Sequence, residues 1–112
     1  MYQLYGIPNC DTVKKAKKNL EANGVEFDFI DFKKTPPSKE LIKRWKLKLG
    51  ELPVNKRGRT FREVKELYES STEANQIKLL IEKSSLIKRP LLEKNLKPVY
   101  MGFISEEYDE LS

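Results

Sequence analysis

Apolar residues recur with two different periods along this chain, and the switches between them mark out its elements. Tyr2 to Tyr5 is a short apolar run that stops at Gly6-Ile7-Pro8-Asn9, the loop chemistry that ends a strand. From Asp11 to about Asn23 the apolar positions are Val13, Ala16 and Leu20, three and four apart as on one helix face, and Gly24 follows as the stop. Val25, Phe27 and Phe29 then alternate with Glu26 and Asp28 as far as about Phe32, the period of a strand. Strand, helix and strand in such a short length predict a parallel βαβ unit, because two parallel strands need a crossover between them.

Thr35-Pro36-Pro37-Ser38 is a stop followed by a start. Ser38 is placed to cap a helix bearing Leu41, Ile42, Trp45 and Leu49 and ending at Gly50, with Trp45 on the inward stripe. Leu52 to Thr60 reads as a loop. Phe61, Val64, Leu67 and Tyr68 mark a short helix, and a further one runs from about Thr72 to Lys83 with Ala74, Ile77, Leu80 and Ile81 inward. Pro90 opens the next apolar run, where a strand's first residue needs no ladder donor. Leu91 to about Lys94 and Val99 to Gly102 are two strands of a hairpin turning near Asn95, and Ser105-Glu106-Glu107-Tyr108 starts a terminal helix. This order predicts one α/β domain over residues 1–112 with a thioredoxin-like fold: βαβ, a helical insertion at roughly 36–85, a β-hairpin and a terminal helix. In such a fold Cys10, after the first strand, faces Arg89-Pro90, before the hairpin.

Composition narrows the chemistry. The chain has 112 residues, enough for one domain with one core. Its apolar runs are too short to span a bilayer, and its first residues lack a basic segment and a long apolar stretch, so a cytoplasmic protein without a signal peptide is expected. One cysteine excludes an internal disulfide, and the absence of histidine excludes a Cys/His dyad and histidine metal ligands. No metal site and no bound cofactor are expected. The net charge of +5 permits contact with nucleic acid or an acidic protein. Lysines and glutamates are interspersed, however, and the aromatics fall on inward faces instead of among the basic residues as stacking platforms, so direct nucleic-acid binding is not expected.

The remaining chemistry centres on Cys10. It sits on the turn before a helix whose positive dipole end points at it, and Lys14, Lys15, Lys17 and Lys18 follow within two turns. All of these favour thiolate over thiol. The bland alternative is a cysteine that serves as a small core residue.

The residues resemble a known family, the arsenate reductase (ArsC) / Spx family. Leu4-Tyr5-Gly6-Ile7-Pro8-Asn9-Cys10-Asp11-Thr12 with Val13-Lys14-Lys15-Ala16 is similar to its active-site strand, loop and helix. Thr35-Pro36-Pro37 is similar to its connector, Ile87-Lys88-Arg89-Pro90-Leu91 to its Arg-Pro motif, and Gly102-Phe103 to its Gly-Phe close. Within the family the YffB-type branch is most alike, through Asn9-Cys10-Asp11-Thr12 and the loop Asn55-Lys56-Arg57-Gly58.

The resemblance implies that Cys10 is the nucleophile, that Arg89 binds an anionic substrate and stabilises the thiolate, and that Pro90 is a cis proline shaping the site beside Asn9. A guanidinium suits the first of Arg89's tasks because its planar fork meets a carboxylate or oxyanion with two parallel hydrogen bonds. Lys14 is a second cation near the sulfur. The family's arsenate reductases use three arginines: Arg89 maps onto one, Arg57 stands in for another with Arg59 as the neighbouring choice, and the third has no counterpart near Tyr100-Met101-Gly102-Phe103. That gap argues against arsenate as the substrate.

The expectation is therefore a monothiol oxidoreductase, monomeric, whose Cys10 attacks a mixed disulfide or a small oxyanion. With no resolving cysteine, glutathione or another low-molecular-weight thiol must act as co-substrate, with a thiol-modified protein as substrate or a glutaredoxin-like protein as partner. The alternative is an Spx-like transcriptional regulator bound to RNA polymerase. It would lack a Cys-x-x-Cys switch, since Val13 stands where the second cysteine would be.

Overall fold

The computed structural model describes residues 1–111 and contains four strands and five α-helices. By packing it divides into two units, residues 1–35 with 89 onward, and residues 36–88.

The first unit is built on a sheet. Strands β1 (Tyr2–Gly6), β2 (Phe27–Asp31), β3 (Leu91–Lys94) and β4 (Lys97–Met101) lie in the order β2-β1-β3-β4. β1 is parallel to β2, with Leu4 opposite Phe29, and antiparallel to β3, with Leu4 opposite Leu92. β1 and β2 therefore end, and β3 begins, at the same rim of the sheet. Helix α1 (Asp11–Ala22) makes the parallel crossover, and α5 (Ser105–Asp109) packs beside it. Leu4, Ala16, Leu20, Leu92 and Tyr108 form one fully buried cluster between these helices and the sheet.

Local chemistry accounts for the bounds of these elements. β2 is shorter than the alternating pattern suggests: the chain leaves α1 through Asn23 and Gly24, whose φ of +69° only glycine adopts freely, and pairing starts at Phe27. β4 starts at Lys97, two residues before the expected Val99, and carries Pro98 within it. A proline is tolerated there because β4 is the edge of the sheet and has no outer ladder to feed. The hairpin turns through Asn95 and Leu96, both at positive φ.

The second unit is helical. In α2 (Lys39–Leu49) the Ser38 hydroxyl accepts the Leu41 N–H at 3.0 Å, and Gly50 closes the helix at φ +81°. α3 (Arg59–Ser70) and α4 (Glu73–Glu82) follow, the latter capped by Thr72, and a single 3₁₀ turn spans Ser84–Leu86. Trp45, Phe61, Tyr68, Ile77, Leu80 and Leu86 are buried, whereas Ala74, expected inward, is exposed, as is Leu67 of α3. The stretch read as a plain loop contains a bridge: Val54 pairs antiparallel with Ile87, Asn55 N–H donates to Leu86 C=O at 2.6 Å, and Lys88 N–H donates to Pro53 C=O at 3.0 Å. The net charge is also unevenly divided. Residues 36–88 carry 13 Lys/Arg against 7 Asp/Glu, while the rest of the chain carries 9 against 10.

Candidate functional site

Cys10 is the N-cap residue of α1, half-buried, in extended backbone at φ −95° and ψ 123°. Its N–H donates to Ile7 C=O at 3.4 Å, closing the turn through Pro8 and Asn9, and its C=O accepts the Lys14 N–H at 3.0 Å as the first hydrogen bond of the helix. No side chain caps this helix end. The sulfur belongs to the residue where N–H groups of the first turn have no intrahelical acceptor, an electropositive position that suits an anion. Gly6 sets the seat of that turn: a Cβ there would lie 2.8 Å from Val13 Cγ2, closer than real Cβ contacts come. Only a residue without a side chain lets β1 and the first turn of α1 approach so closely.

Topology brings other groups to the same rim. Gly6, the last residue of β1, is flanked by the end of β2, just past which Phe32 N–H donates to Gly6 C=O at 2.8 Å. On the other side Tyr5 pairs with Leu91, so Arg89 and Pro90 precede β3 at the level where β1 runs out toward Cys10. The Arg89–Pro90 peptide is cis, as the resemblance implies, and the buried Pro90 uses its C=O to accept the Gly102 N–H at 2.8 Å. Arg89 is half-buried and engaged with neighbouring groups. Lys14 and Asn9 are exposed, one on the first turn of α1 and the other on the turn before it. Cys10, Asn9, Lys14, Arg89 and Pro90 thus belong to one unit and to one end of its sheet.

Arg57 lies in the helical unit. It is exposed on the turn before α3, its N–H donates to Asn55 Oδ1 at 3.2 Å, and it lines a cavity of about 460 Å³ with Glu51, Asn55, Lys56 and Lys88. Arg59, the first residue of α3, does not line that cavity. Lys56 and Lys88 are cations that the reading of the sequence passed over. Their signal was the Val54–Ile87 bridge, which is invisible until the two segments are paired.

A second cavity, of about 500 Å³, opens between α1 and the outer edge of β2 and is lined in part by Pro8, Lys17, Phe29 and Lys34. The Lys17 ammonium lies 4.1 Å from the centroid of the Phe29 ring. Among the described residues no group of three or more His, Cys, Asp or Glu side chains is placed to hold a metal ion, and no helix is long and apolar enough to cross a membrane.

Comparison with known proteins gives this arrangement its context. The solved structure of the YFFB protein superposes with a TM-score of 0.87 at 37% identity, covering 98% of this chain and 97% of that one. That of a possible arsenate reductase from Streptococcus mutans UA159 superposes at 0.75 and 34% identity, covering 92% and 91%. Regulatory protein MgsR of Bacillus subtilis (strain 168) is 33% identical over 114 residues, 97% of this chain and 88% of its own length. The fold is the thioredoxin-like one that the order of elements predicts. The family model for ArsC matches residues 5–111, from the strand that leads to Cys10 through to the terminal helix, and the chain belongs to the ArsC family.

Proposed function

We propose that the protein is a monothiol oxidoreductase acting on mixed disulfides. The observation that carries this reading is the position of Cys10, half-exposed at the uncapped N-terminus of α1 and at the rim of the sheet from which Arg89 leads into β3. Membership of the ArsC family and likeness to a possible arsenate reductase support the same class of chemistry.

In the first step the Cys10 thiolate attacks one sulfur of the substrate disulfide. The new bond joins Cys10 to that sulfur, and the other sulfur leaves as a thiolate that takes a proton from solvent. Arg89 and Lys14 supply positive charge for carboxylates or an oxyanion on the substrate. In the second step an external thiol, glutathione or another small thiol, attacks the mixed disulfide and restores Cys10, since the chain has no second cysteine to do so. Glutathione disulfide should give a single adduct by intact mass that Cys10→Ser abolishes and dithiothreitol reverses. Absence of the adduct under mildly oxidising conditions would overturn the reading.

A second reading is a transcriptional regulator docked on RNA polymerase, favoured by the likeness to MgsR and by the excess positive charge of residues 36–88. It requires binding to purified RNA polymerase that Cys10→Ser leaves intact and that charge reversal on α2 and α3 abolishes.

A further inference from the structure

The groove between α1 and β2 has the makings of a peptide subsite. Its volume of about 500 Å³ is in the range of ordinary ligand sites. Its apolar lining comes from Pro8, Phe29 and Ile30, and its cations are Lys17 and Lys34. Lys17 is held over the Phe29 ring, and neither lysine is ion-paired to a carboxylate among the described residues. The one acid in the lining is Asp31, whose Oδ1 accepts the Lys33 N–H at 2.9 Å, so Lys17 and Lys34 outnumber the carboxylate and leave the lining with one net positive charge. Along one side runs β2, an edge strand with no partner on its outer side; at its end the Asp31 C=O already accepts the Lys34 and Thr35 N–H groups at 3.0 and 2.8 Å, so an added extended segment would pair along the strand before Asp31. Pro8 is two residues before Cys10, so the groove starts within about 7 Å of the nucleophile's backbone.

We infer that this groove selects the substrate: it takes the extended, acidic segment flanking a disulfide-bonded cysteine, with an apolar contact on Phe29 and a carboxylate on Lys17 or Lys34. The inference rests on the thiol-exchange reading above and names the substrate class for it. At about 3.3 Å per residue of extended chain, the recognised carboxylate stands two or three residues from the reacting sulfur.

Five-residue peptides with a central cysteine carried as its mixed disulfide with thionitrobenzoate provide the test. Attack by Cys10 on the peptide sulfur releases one coloured thionitrobenzoate and leaves the peptide on the protein, with Cys10→Ser as blank. Peptides ending in aspartate at both ends should react at least tenfold faster than those ending in lysine. The Lys17→Ala/Lys34→Ala variant should reduce that ratio below threefold while changing the rate of an alanine-ended peptide less than twofold. Lys78→Ala/Lys83→Ala, which removes the same charge from exposed positions of the helical unit, should leave the ratio unchanged. A ratio near one in the native protein, or an equal fall in both double variants, would overturn the groove while leaving the thiol chemistry standing. Failure of every peptide to react would overturn both.

Discussion

Gly6 and Val13 approach so closely that a methyl group added to the glycine would stand 2.8 Å from Val13 Cγ2. Both residues are buried, and the backbone between them is the turn that carries Cys10. Gly6→Ala should therefore act as an overpacking change costing about 1–3 kcal/mol, measured by urea unfolding. Because the clash is with one side chain, Gly6→Ala/Val13→Ala should be less destabilised than the sum of the two single variants. Additive losses would mean that the contact does not seat the turn.

Tyr108 couples α5 to the loop after β4. Its ring packs on Phe103 at 4.9 Å and on Tyr100 at 5.9 Å, and its hydroxyl donates to Gly102 C=O at 3.2 Å. Burial, with the Glu107 carboxylate adding to it, pushes its phenol well above the ordinary value of 10.0. A raised folded value means that the native state holds the proton more tightly than the unfolded chain. The resulting stability is whole below pH 10.0 and is lost as pH rises beyond it toward the folded value. Tyr108→Phe should cost about 1 kcal/mol at neutral pH through the lost hydrogen bond. It should also lessen the decline in thermal midpoint above pH 10.0.

Asp109 ties the same short helix to α1, accepting from Asn19 Nδ2 and Asn23 Nδ2, each at 3.0 Å. These two hydrogen bonds hold its carboxyl below the ordinary 3.8. With the folded value depressed, the contribution is present above pH 3.8 and disappears as pH falls through the folded value. Asp109→Ala should be less stable than the native protein at pH 6, and the two unfolding curves should converge in acid. A constant difference across that window would assign the effect to packing instead.

Arg89→Ala should slow adduct formation with glutathione disulfide by about tenfold to a hundredfold, the loss of one charge-assisted hydrogen bond to a substrate carboxylate. With uncharged hydroxyethyl disulfide the same variant should lose less than threefold. An equal loss with both disulfides would show that Arg89 acts on the thiolate, not on the substrate. Intact-mass time courses separate the two outcomes.

The parts of the fold that were legible in the sequence are those with local causes. Ser38, Thr72, Gly24 and Gly50 mark their helix ends because capping and positive φ are decided within a few residues. Ala74 faces solvent although its spacing fits the inward stripe, because α4 buries only a narrow stripe through Ile77 and Leu80. Glu93, fully buried on the central strand β3, and the Val54–Ile87 bridge depend on partners distant along the chain, so no local pattern announces them. The candidate site divides in the same way. Cys10 at a helix start and Pro90 at a strand start are local signals. The groove that collects Pro8, Lys17, Phe29 and Lys34 exists only once α1 is laid across β2.

The strand order also decides where the chain leaves the sheet and where it returns. β2 delivers the chain to the helical unit and β3 receives it back, and the two strands flank β1 on either side. Two strand spacings separate exit from re-entry, a gap of about 10 Å. Residues 36–88 therefore leave and rejoin the chain at one rim of the sheet, and the pairing of β1 with β2 and with β3 does not run through them. Hydrogen bonds between sheet strands alone fix where the backbone of Cys10 and Arg89 stands, whatever lies between Pro36 and Lys88.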